Sequence, residues 1–241
     1  MIHKALIVAA GRGLRLRPAT ENVPKPALEV GGVPLIRRSV DILASHGIDD
    51  VTVVVGYEQE QIRALLGDSA SYLVNEDFAS TNNMASMYVG RHANSNEPFL
   101  YLHADLWYDP KIIEIVRRQT GDIVFLVEKK PCGDEEMKVR VRDGLILEAD
   151  KAIHPSDAYG EWLGIAKFEP QGAAVFFDEI ERTLPRSKVL YDCAVVRDLA
   201  ERGVAMKYAD IGSLPWVEID FEQDLNFART LAEREEQAWR S

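Results

Sequence analysis

The chain has 241 residues, 46% of them hydrophobic, and its 28 Lys and Arg residues against 39 Asp and Glu residues give a net charge of −11. This length suits one well-formed core. No apolar run reaches the roughly 18 to 20 residues of a membrane span, and the spacing of the two cysteines matches no metal or redox motif. We therefore expect a cytoplasmic protein that inserts into no membrane, and its acidic composition excludes DNA and RNA as partners.

Strands and helices are predicted to alternate along the first half of the chain. The predicted strands cover residues 5–8, 51–55, 71–74 and 99–103, and the predicted helices cover residues 34–45, 58–66 and 83–92. Such alternation indicates an α/β fold, with a mostly parallel, Rossmann-like sheet and helices on both faces. Ligands of such sheets bind beyond the carboxyl ends of the strands, where the loops after Val8 and His103 lie.

The second half is predicted to contain more strands. They cover residues 122–128, 137–141, 145–148, 162–168, 205–209 and 216–219, and helices cover residues 172–183, 191–201 and 222–241. The tripeptide Arg142-Asp143-Gly144 predicts a hairpin turn between two of these strands. Because no repeat or linker divides the chain, we predict one domain over residues 1–241, with a small antiparallel extension of the sheet.

The loop after the first strand carries two glycines and several cations. It reads Ala9-Ala10-Gly11-Arg12-Gly13 and continues through Arg15 to Lys25. The glycines let the backbone approach anionic oxygens closely, and the basic side chains supply positive charge. This charge is local: residues 1–40 hold seven Lys and Arg against two Asp and Glu, a net of +5, so the other 201 residues carry −16. The pattern predicts a polyphosphate site.

Two familiar phosphate-binding loops do not match this sequence. The dinucleotide fingerprint needs a third glycine where the chain has Leu16, and a P-loop needs Lys and Ser/Thr directly after its glycines. The pattern here, Ala-Ala-Gly-x-Gly-x-Arg-Leu-x-Pro-x-Thr followed by Pro24-Lys25-Pro26, resembles the signature of nucleotidyltransferases that make nucleoside-diphosphate sugars and CDP-alcohols. The resemblance implies the nucleotide-diphospho-sugar transferase fold, with a nucleotide-binding half over residues 1–120 and an acceptor-binding half over residues 121–241.

Arg15 and Lys25 are the predicted catalytic residues. Nucleotidyl transfer to a phosphate needs cations more than a general base, because the attacking phosphate is already largely dianionic at neutral pH. By resemblance to the family, Arg15 would steady the β- and γ-phosphates, and Lys25 would bridge the α-phosphate and the incoming phosphate.

Asp105 and Asp220 each follow an apolar strand, where a carboxylate can face bound phosphates and hold Mg²⁺. Alone, either aspartate would more often be a helix cap or a surface turn. In the family that the chain resembles, the matching aspartates meet across one metal ion. We therefore predict both as Mg²⁺ ligands, with Glu218 as a second candidate.

Residues 75–86 read Asn-x-x-Phe-x-x-x-Asn-Asn-x-x-Ser. This resembles an element of choline-phosphate cytidylyltransferases of the LicC type and of phosphonate cytidylyltransferases. The resemblance implies that Asn82, Asn83 and Ser86, with the backbone near Ala9 and Ala10, bind the cytosine base. The same asparagines would also cap a helix, and that interpretation stays open.

The segments around Lys138 and Glu161 look like those of cytidylyltransferases that act on 2-aminoethylphosphonate. Lys138 would then bind the phosphoryl or phosphonyl oxygens, and Glu161 would receive an ammonium group. An aromatic face for a choline-like cation would come from one of Trp107, Tyr108, Trp162 and Trp216, with Trp107 and Trp162 as the leading candidates. Lys129, Lys130 and His103 are interpreted as surface or supporting residues.

These observations predict a Mg²⁺-dependent cytidylyltransferase. It would transfer CMP from CTP to a small phosphate or phosphonate, of the phosphocholine or 2-aminoethylphosphonate type, and release pyrophosphate. Two alternatives stay open: a sugar-1-phosphate nucleotidyltransferase that uses UTP, dTTP or GTP, and a catalytically silent nucleotide-binding regulatory subunit. A homo-oligomer is compatible with the sequence.

Overall fold

The computed structural model describes residues 2–94 and 96–240. The strands are β1 (Lys4–Ala9), β2 (Glu29–Val30), β3 (Val33–Pro34), β4 (Asp50–Val55), β5 (Ser71–Val74), β6 (Phe99–His103), β7 (Leu106–Tyr108), β8 (Ile123–Glu128), β9 (Lys138–Arg142), β10 (Leu145–Asp150), β11 (Gly160–Phe168), β12 (Met206–Asp210) and β13 (Trp216–Glu218). The α-helices are α1 (Leu35–Ser45), α2 (Gln59–Leu66), α3 (Asn83–Val89), α4 (Arg91–Asn94), α5 (Lys111–Arg117), α6 (Pro170–Thr183), α7 (Val196–Glu201) and α8 (Glu222–Arg240). The predicted last helix ends at Ser241, which lies outside the described residues.

One sheet holds nine of these strands, in the order β5-β4-β1-β6-β11-β8-β12-β10-β9. The neighbours β5, β4, β1 and β6 are parallel, and so are β8 and β12. The reversed strand β11 lies antiparallel between β6 and β8, and β10 lies antiparallel between β12 and β9. The predicted α/β class, with a parallel sheet, helices and an antiparallel extension, is confirmed, and the antiparallel part is larger than predicted because β11 lies reversed between β6 and β8. Strands from both halves of the chain share this sheet.

Helices cover both faces of the sheet, as alternating elements predict. On one face, α1, α2 and α5 contribute apolar side chains such as Ile36, Ile62 and Ile112 to a buried cluster. On the other face, α3, α6 and α7 pack residues such as Met84 and Phe176 against the sheet. None of the described helices combines the length and apolarity that crossing a membrane requires.

Two predicted helices differ from those observed. The helix predicted over 83–92 breaks at Gly90, a poor helix former, whose backbone packs so tightly on Leu6 that a Cβ would overlap that side chain. The helix predicted over 191–201 begins as a 3-10 turn, Asp192–Val195, before α7. The short helix α5, the two-stranded ribbon β2–β3 and the strand β7 were not predicted, whereas the strand predicted over 216–219 is β13, which pairs with β7.

Candidate active site

The loop after β1 forms one wall of a cavity of about 400 Å³ beyond the ends of β1 and β6. The predicted loop residues Ala9, Ala10, Gly11, Arg12 and Gly13 all line it. Gly13 has a φ of 59°, and a Cβ there would lie 3.2 Å from the Cβ of Lys25, so this position requires glycine. At Gly11 an added Cβ would meet no atom within 4 Å, so the backbone is open to a ligand.

Lys25 bridges two carboxylates at the base of the cavity. It begins a 3-10 turn, Lys25–Ala27, and its Nζ donates hydrogen bonds to Asp105 Oδ2 at 2.8 Å and to Asp220 Oδ1 at 2.7 Å. Burial alone would lower the pKa of Lys25, but the two carboxylates outweigh it and raise the pKa above its ordinary value. The ammonium group is therefore a permanent charge of the cavity.

Arg15 adds a second cation on the solvent side of Lys25. One guanidinium nitrogen lies 2.7 Å from Asp220 Oδ2, and another lies 3.7 Å from Glu135 on a separate loop. The guanidinium also stacks over the Phe221 ring, 5.4 Å from its centroid. Nearly half of the Arg15 side chain is exposed, so its charge faces the open side of the cavity. The two predicted catalytic residues thus share one carboxylate partner.

A two-stranded ribbon brings Asp105 and Asp220 together. In the β7–β13 ribbon Glu218 pairs with Leu106, and the Ile219 amide donates to the Asp105 carbonyl at 3.0 Å. Burial raises the pKa of Asp105, but the Lys25 ammonium group outweighs burial and holds that pKa below its ordinary value. One oxygen of each carboxylate approaches the same Lys25 Nζ, so the two carboxylates converge. Converging carboxylate oxygens are the ligands that a hard cation such as Mg²⁺ prefers.

A second group of possible metal ligands shares Asp105. Donor atoms of His103, Asp105 and Glu218 lie within 4.8 Å of one another in the described part of the chain. Asp105 therefore belongs to both groups, since it shares Lys25 with Asp220 and lies near Glu218.

His103 lines the cavity and belongs to a buried network. Its Nε2 donates to Asp192 Oδ2 at 2.8 Å, its Nδ1 lies 3.5 Å from Glu218, and the Tyr101 hydroxyl donates to the same Asp192 oxygen. Burial alone would lower the pKa of His103, but the carboxylates of Asp192 and Glu218 raise it well above its ordinary value. The histidine therefore links the core to the cavity wall.

The base-binding candidates Asn82, Asn83 and Ser86 line the same cavity. Asn82 is the N-cap of α3, since its Oδ1 accepts a hydrogen bond from the Asn83 amide at 2.8 Å, which confirms the helix-cap interpretation. Asn83 Oδ1 accepts from the Asp192 amide at 3.0 Å, and Ser86 Oγ accepts from Asn75 at 3.0 Å. The three side chains are thus held in fixed orientations at the cavity wall.

The predicted aromatic acceptor contacts Trp107 and Trp162 do not match the structure. Trp107 is 2% exposed, packs beneath α8 and lies against the guanidinium group of Arg38, 4.4 Å from the ring centroid. Trp162 is buried against Phe125, with ring centroids 5.3 Å apart, and its Nε1 donates to the Ile165 carbonyl. Both indoles fill the core because apolar strand residues on an inward face pack there.

The prediction that Lys138 binds the acceptor directly also fails. The residue is 1% exposed, and its Nζ donates to the carbonyls of Gly133 at 2.7 Å and Asp134 at 3.3 Å. The ammonium group therefore holds the loop before β9 in place. A buried lysine must satisfy its donors, and here backbone carbonyls of the preceding loop do so.

Glu161 lies beside the cavity in what we call the cation cage, formed by Glu128, Glu161 and Trp216. Lys130 Nζ occupies the cage, 2.7 Å from Glu161, 3.1 Å from Glu128 and 5.3 Å from the centroid of the Trp216 ring. Trp216 Nε1 donates to Glu128 at 3.0 Å and completes the wall. Burial raises the pKa of Glu161 to about 7, although Lys130 opposes the shift.

Residues 5–201 match the MobA-like NTP transferase domain. The chain belongs to this family. It is 29% identical, over 90% of its length, to the CMP-5'-(3-aminopropyl)phosphonate synthase of Streptomyces rubellomurinus, and 42% identical, over 39%, to the choline-phosphate cytidylyltransferase of Streptococcus pneumoniae. The matches span only 37% and 41% of those relatives' own lengths. The inositol-1-phosphate CTP transferase of T. maritima has the same fold, with a TM-score of 0.80 and 23% identity over 96% of this chain and 94% of its own.

Three residues of this NTP transferase site were missed or undervalued in the sequence. His103 and Lys130 were interpreted as surface or supporting residues, and Asp192 was not singled out at all. Asp192 is 1% exposed and follows Tyr191 at the start of an apolar helical run. A carboxylate isolated among apolar residues was the available signal, because such a group needs buried hydrogen-bond donors.

Proposed function

We propose that the chain is a Mg²⁺-dependent cytidylyltransferase that joins CTP to a small phosphate or phosphonate carrying an ammonium group, and releases pyrophosphate. The observation that carries this proposal is the position of Lys25. Its ammonium group lies between Asp105 and Asp220, in the cavity that the glycine loop and Asn83 also line. Membership of the NTP transferase family supports nucleotidyl transfer as the reaction class.

The charges of the cavity suit a reaction between two anions. Lys25 and Arg15 present two cations, and the open backbone at Gly11 leaves room for phosphate oxygens. Fixed cations at a site of developing charge accelerate such transfers because no solvent has to reorganise. In this proposal Arg15 holds the departing pyrophosphate, and Lys25 holds the α-phosphate against the acceptor.

Asp105 and Asp220 would hold Mg²⁺. When bound, the ion supplies charge neutralisation at the phosphates. Lys25 and Arg15 already neutralise Asp220 in part, so the chain's own cations keep these acids close together. This closeness is what a carboxylate pair needs to accept a divalent ion.

CTP is proposed as the nucleotide because Asn82, Asn83 and Ser86 face the cavity beside the loop. Amide groups can donate to and accept from the polar edge of a pyrimidine. Asn83 is already held by Asp192, so its orientation is set before the base binds. The names of the two relatives, a CMP-phosphonate synthase and a cytidylyltransferase, support the same choice.

The cation cage supports an acceptor with an ammonium group. Glu161 and Glu128 face an ammonium group in the structure, and Trp216 supplies an aromatic face. Trp216 and Glu218 alternate on β13, and Glu218 lines the main cavity, so the cage adjoins the site of transfer. An acceptor could then place its phosphate near Lys25 and its cation toward the cage.

Pyrophosphate release from a panel of substrates tests this proposal. CTP, UTP, dTTP and GTP would each be combined with phosphocholine, 2-aminoethylphosphonate and glucose-1-phosphate. We expect turnover with CTP and an ammonium-bearing acceptor. Turnover with UTP or dTTP and glucose-1-phosphate, but not with CTP, would establish the sugar-nucleotide alternative instead.

The regulatory-subunit alternative needs a separate measurement. A silent subunit would bind nucleotide in a calorimetric titration yet release no pyrophosphate with any pair of substrates. A Lys25→Met variant serves as the low-activity reference, and an exposed lysine variant outside the cavity lining, Lys111→Met, serves as the matched control. Equal rates for wild type and Lys25→Met would contradict the proposed reaction.

A further inference from the structure

We propose that Lys130 is a built-in substitute for the acceptor's ammonium group, which holds the cation cage while the site is empty and which a cationic acceptor displaces. This inference rests on the proposed function for the identity of the acceptor. The inference makes Lys130 a residue that decides which acceptors bind. It also explains why this lysine, interpreted from the sequence as a surface or supporting residue, is partly buried.

The contacts of Lys130 are those of a bound ammonium ligand. Its Nζ lies between one oxygen of Glu161 and one of Glu128, at 2.7 and 3.1 Å, beneath the face of Trp216. Two carboxylates and an indole face are the groups with which proteins bind alkylammonium ions. No other cation of the described residues lies within ion-pair distance of Glu161.

Lys130 is the member of this group that can leave. About a third of its side chain is exposed, against a tenth for Glu161, whose backbone pairs with Glu128 and Lys138 in the sheet. Lys130 lies two residues beyond Glu128, the last residue of β8, and its flexible stem can turn the ammonium group into solvent. The carboxylates cannot follow it, because the sheet fixes them.

An empty cage would be costly, which accounts for a resident cation. Glu161 is buried, and a buried carboxylate without a partner loses its hydration without compensation. An attached lysine is always at high effective concentration, so a simple ammonium ion in solution competes poorly with it. An acceptor anchored at its phosphate by Lys25 gains the same advantage and can take the place of Lys130.

Chemical labelling of wild-type protein tests the displacement without turnover. Lys130 and its neighbour Lys129 would be acetylated at trace reagent and followed by mass spectrometry, with phosphocholine, its neutral isostere 3,3-dimethylbutyl phosphate, or tetramethylammonium present. We expect phosphocholine to raise the rate of Lys130 acetylation several-fold. We expect 3,3-dimethylbutyl phosphate and tetramethylammonium to leave that rate unchanged. Lys129, which is exposed and lies 5.4 Å from the Tyr159 ring, should keep a constant rate. An unchanged or lowered rate at Lys130 with phosphocholine bound would overturn the inference.

Binding to variants gives a second, independent result. Lys130→Met should bind phosphocholine about tenfold more tightly in calorimetric titration, because its competitor is gone, and should bind the neutral isostere as wild type does. Lys129→Met is the matched control and should bind both as wild type does. Weaker binding of both ligands by Lys130→Met would mean that Lys130 supports the fold or the phosphate. Equal binding of phosphocholine by wild type and Lys130→Met would mean that Lys130 does not compete with the acceptor. Either result overturns the inference.

The two proposals fail in different ways. If CTP is consumed equally well with phosphocholine and with 3,3-dimethylbutyl phosphate, the role of Lys130 and the preference for an ammonium group are wrong, and cytidylyl transfer to a phosphate stands. If labelling and binding behave as expected but no nucleotide yields pyrophosphate, the cage stands and the proposed reaction is wrong.

Discussion

Lys25 and Asp220 are 195 residues apart in the chain, yet the lysine ammonium lies 2.7 Å from the aspartate carboxylate. The contact joins the loop after β1 to the connection between β13 and α8. It also places a cation where two carboxylates would otherwise repel each other. The integrity of the cavity and its chemistry therefore depend on the same charge.

Replacement of Lys25 by Met should lower turnover by about 10²- to 10³-fold, since one fixed cation at the transferring phosphate is lost. The unpaired acids should also lower the free energy of unfolding by about 3 kcal/mol. Added Mg²⁺ should restore part of that stability, because a divalent ion can replace the missing charge. Urea unfolding with and without Mg²⁺ measures the effect, and stability that does not respond to the ion would contradict it.

The two glycines of the loop should respond differently to alanine. Gly13→Ala should cost about 1 to 2 kcal/mol of folding free energy, because its φ of 59° is strained for a side chain and the Cβ would press on Lys25. Gly11→Ala should fold like wild type but raise the KM for nucleotide, since its methyl group projects into the cavity. Thermal melts and nucleotide titrations separate the two effects, and equal melting temperatures would count against the strain argument.

Asn82 has two roles that a pair of variants can separate. Asn82→Ala removes the cap of α3 and should cost about 1 kcal/mol of stability, whereas Asn82→Ser keeps an accepting oxygen and should cost little. If the amide also reads cytosine, both variants should raise the KM for CTP about tenfold. A serine variant with the wild-type KM would show that Asn82 only caps the helix.

Glu161 should make stability depend on pH. Its pKa of about 7 in the folded protein lies above the ordinary value of 4.5, so folding favours the protonated form. The resulting stabilisation is fully present below pH 4.5 and is lost as the pH rises through 7, a change of about 3 kcal/mol. Glu161→Gln should lack this loss, so its stability relative to wild type should rise between pH 5 and pH 8 in urea unfolding. Parallel pH curves for the two proteins would contradict the shift.

The sequence predicted the sheet and the loop well, because both depend on local signals. Short apolar runs mark the strands, and the glycine and arginine spacing after β1 marks the predicted phosphate site. Asp105 and Asp220 were placed at strand ends, and their approach to one another followed only from a family resemblance. The structure gives the physical reason, which is the ribbon between β7 and β13.

The sequence could not predict the directions in which individual side chains point. Trp107 and Trp216 look alike in the sequence, yet one fills the core and the other walls the cation cage. Lys138 and Lys130 were misjudged for the same reason, since a lysine near a strand end can turn toward a loop or toward a carboxylate. Such choices depend on long-range packing, such as the pairing of β11 with both β8 and β9, which brings Glu161 beside Glu128 and Lys138.

The ribbon also limits how this protein can change its length. Successive side chains of a strand point to opposite sides, so loss or gain of one residue between Trp216 and Glu218 would turn Glu218 away from Asp105 and would shift Asp220, which follows the strand. The turn at Gly212 and Ser213, ahead of that strand, carries no such restriction, since both residues are exposed to solvent. Variants with longer or shorter connections should therefore tolerate a change at Gly212 or Ser213, and should lose both Glu218 and Asp220 from the site when the change falls between Trp216 and Glu218.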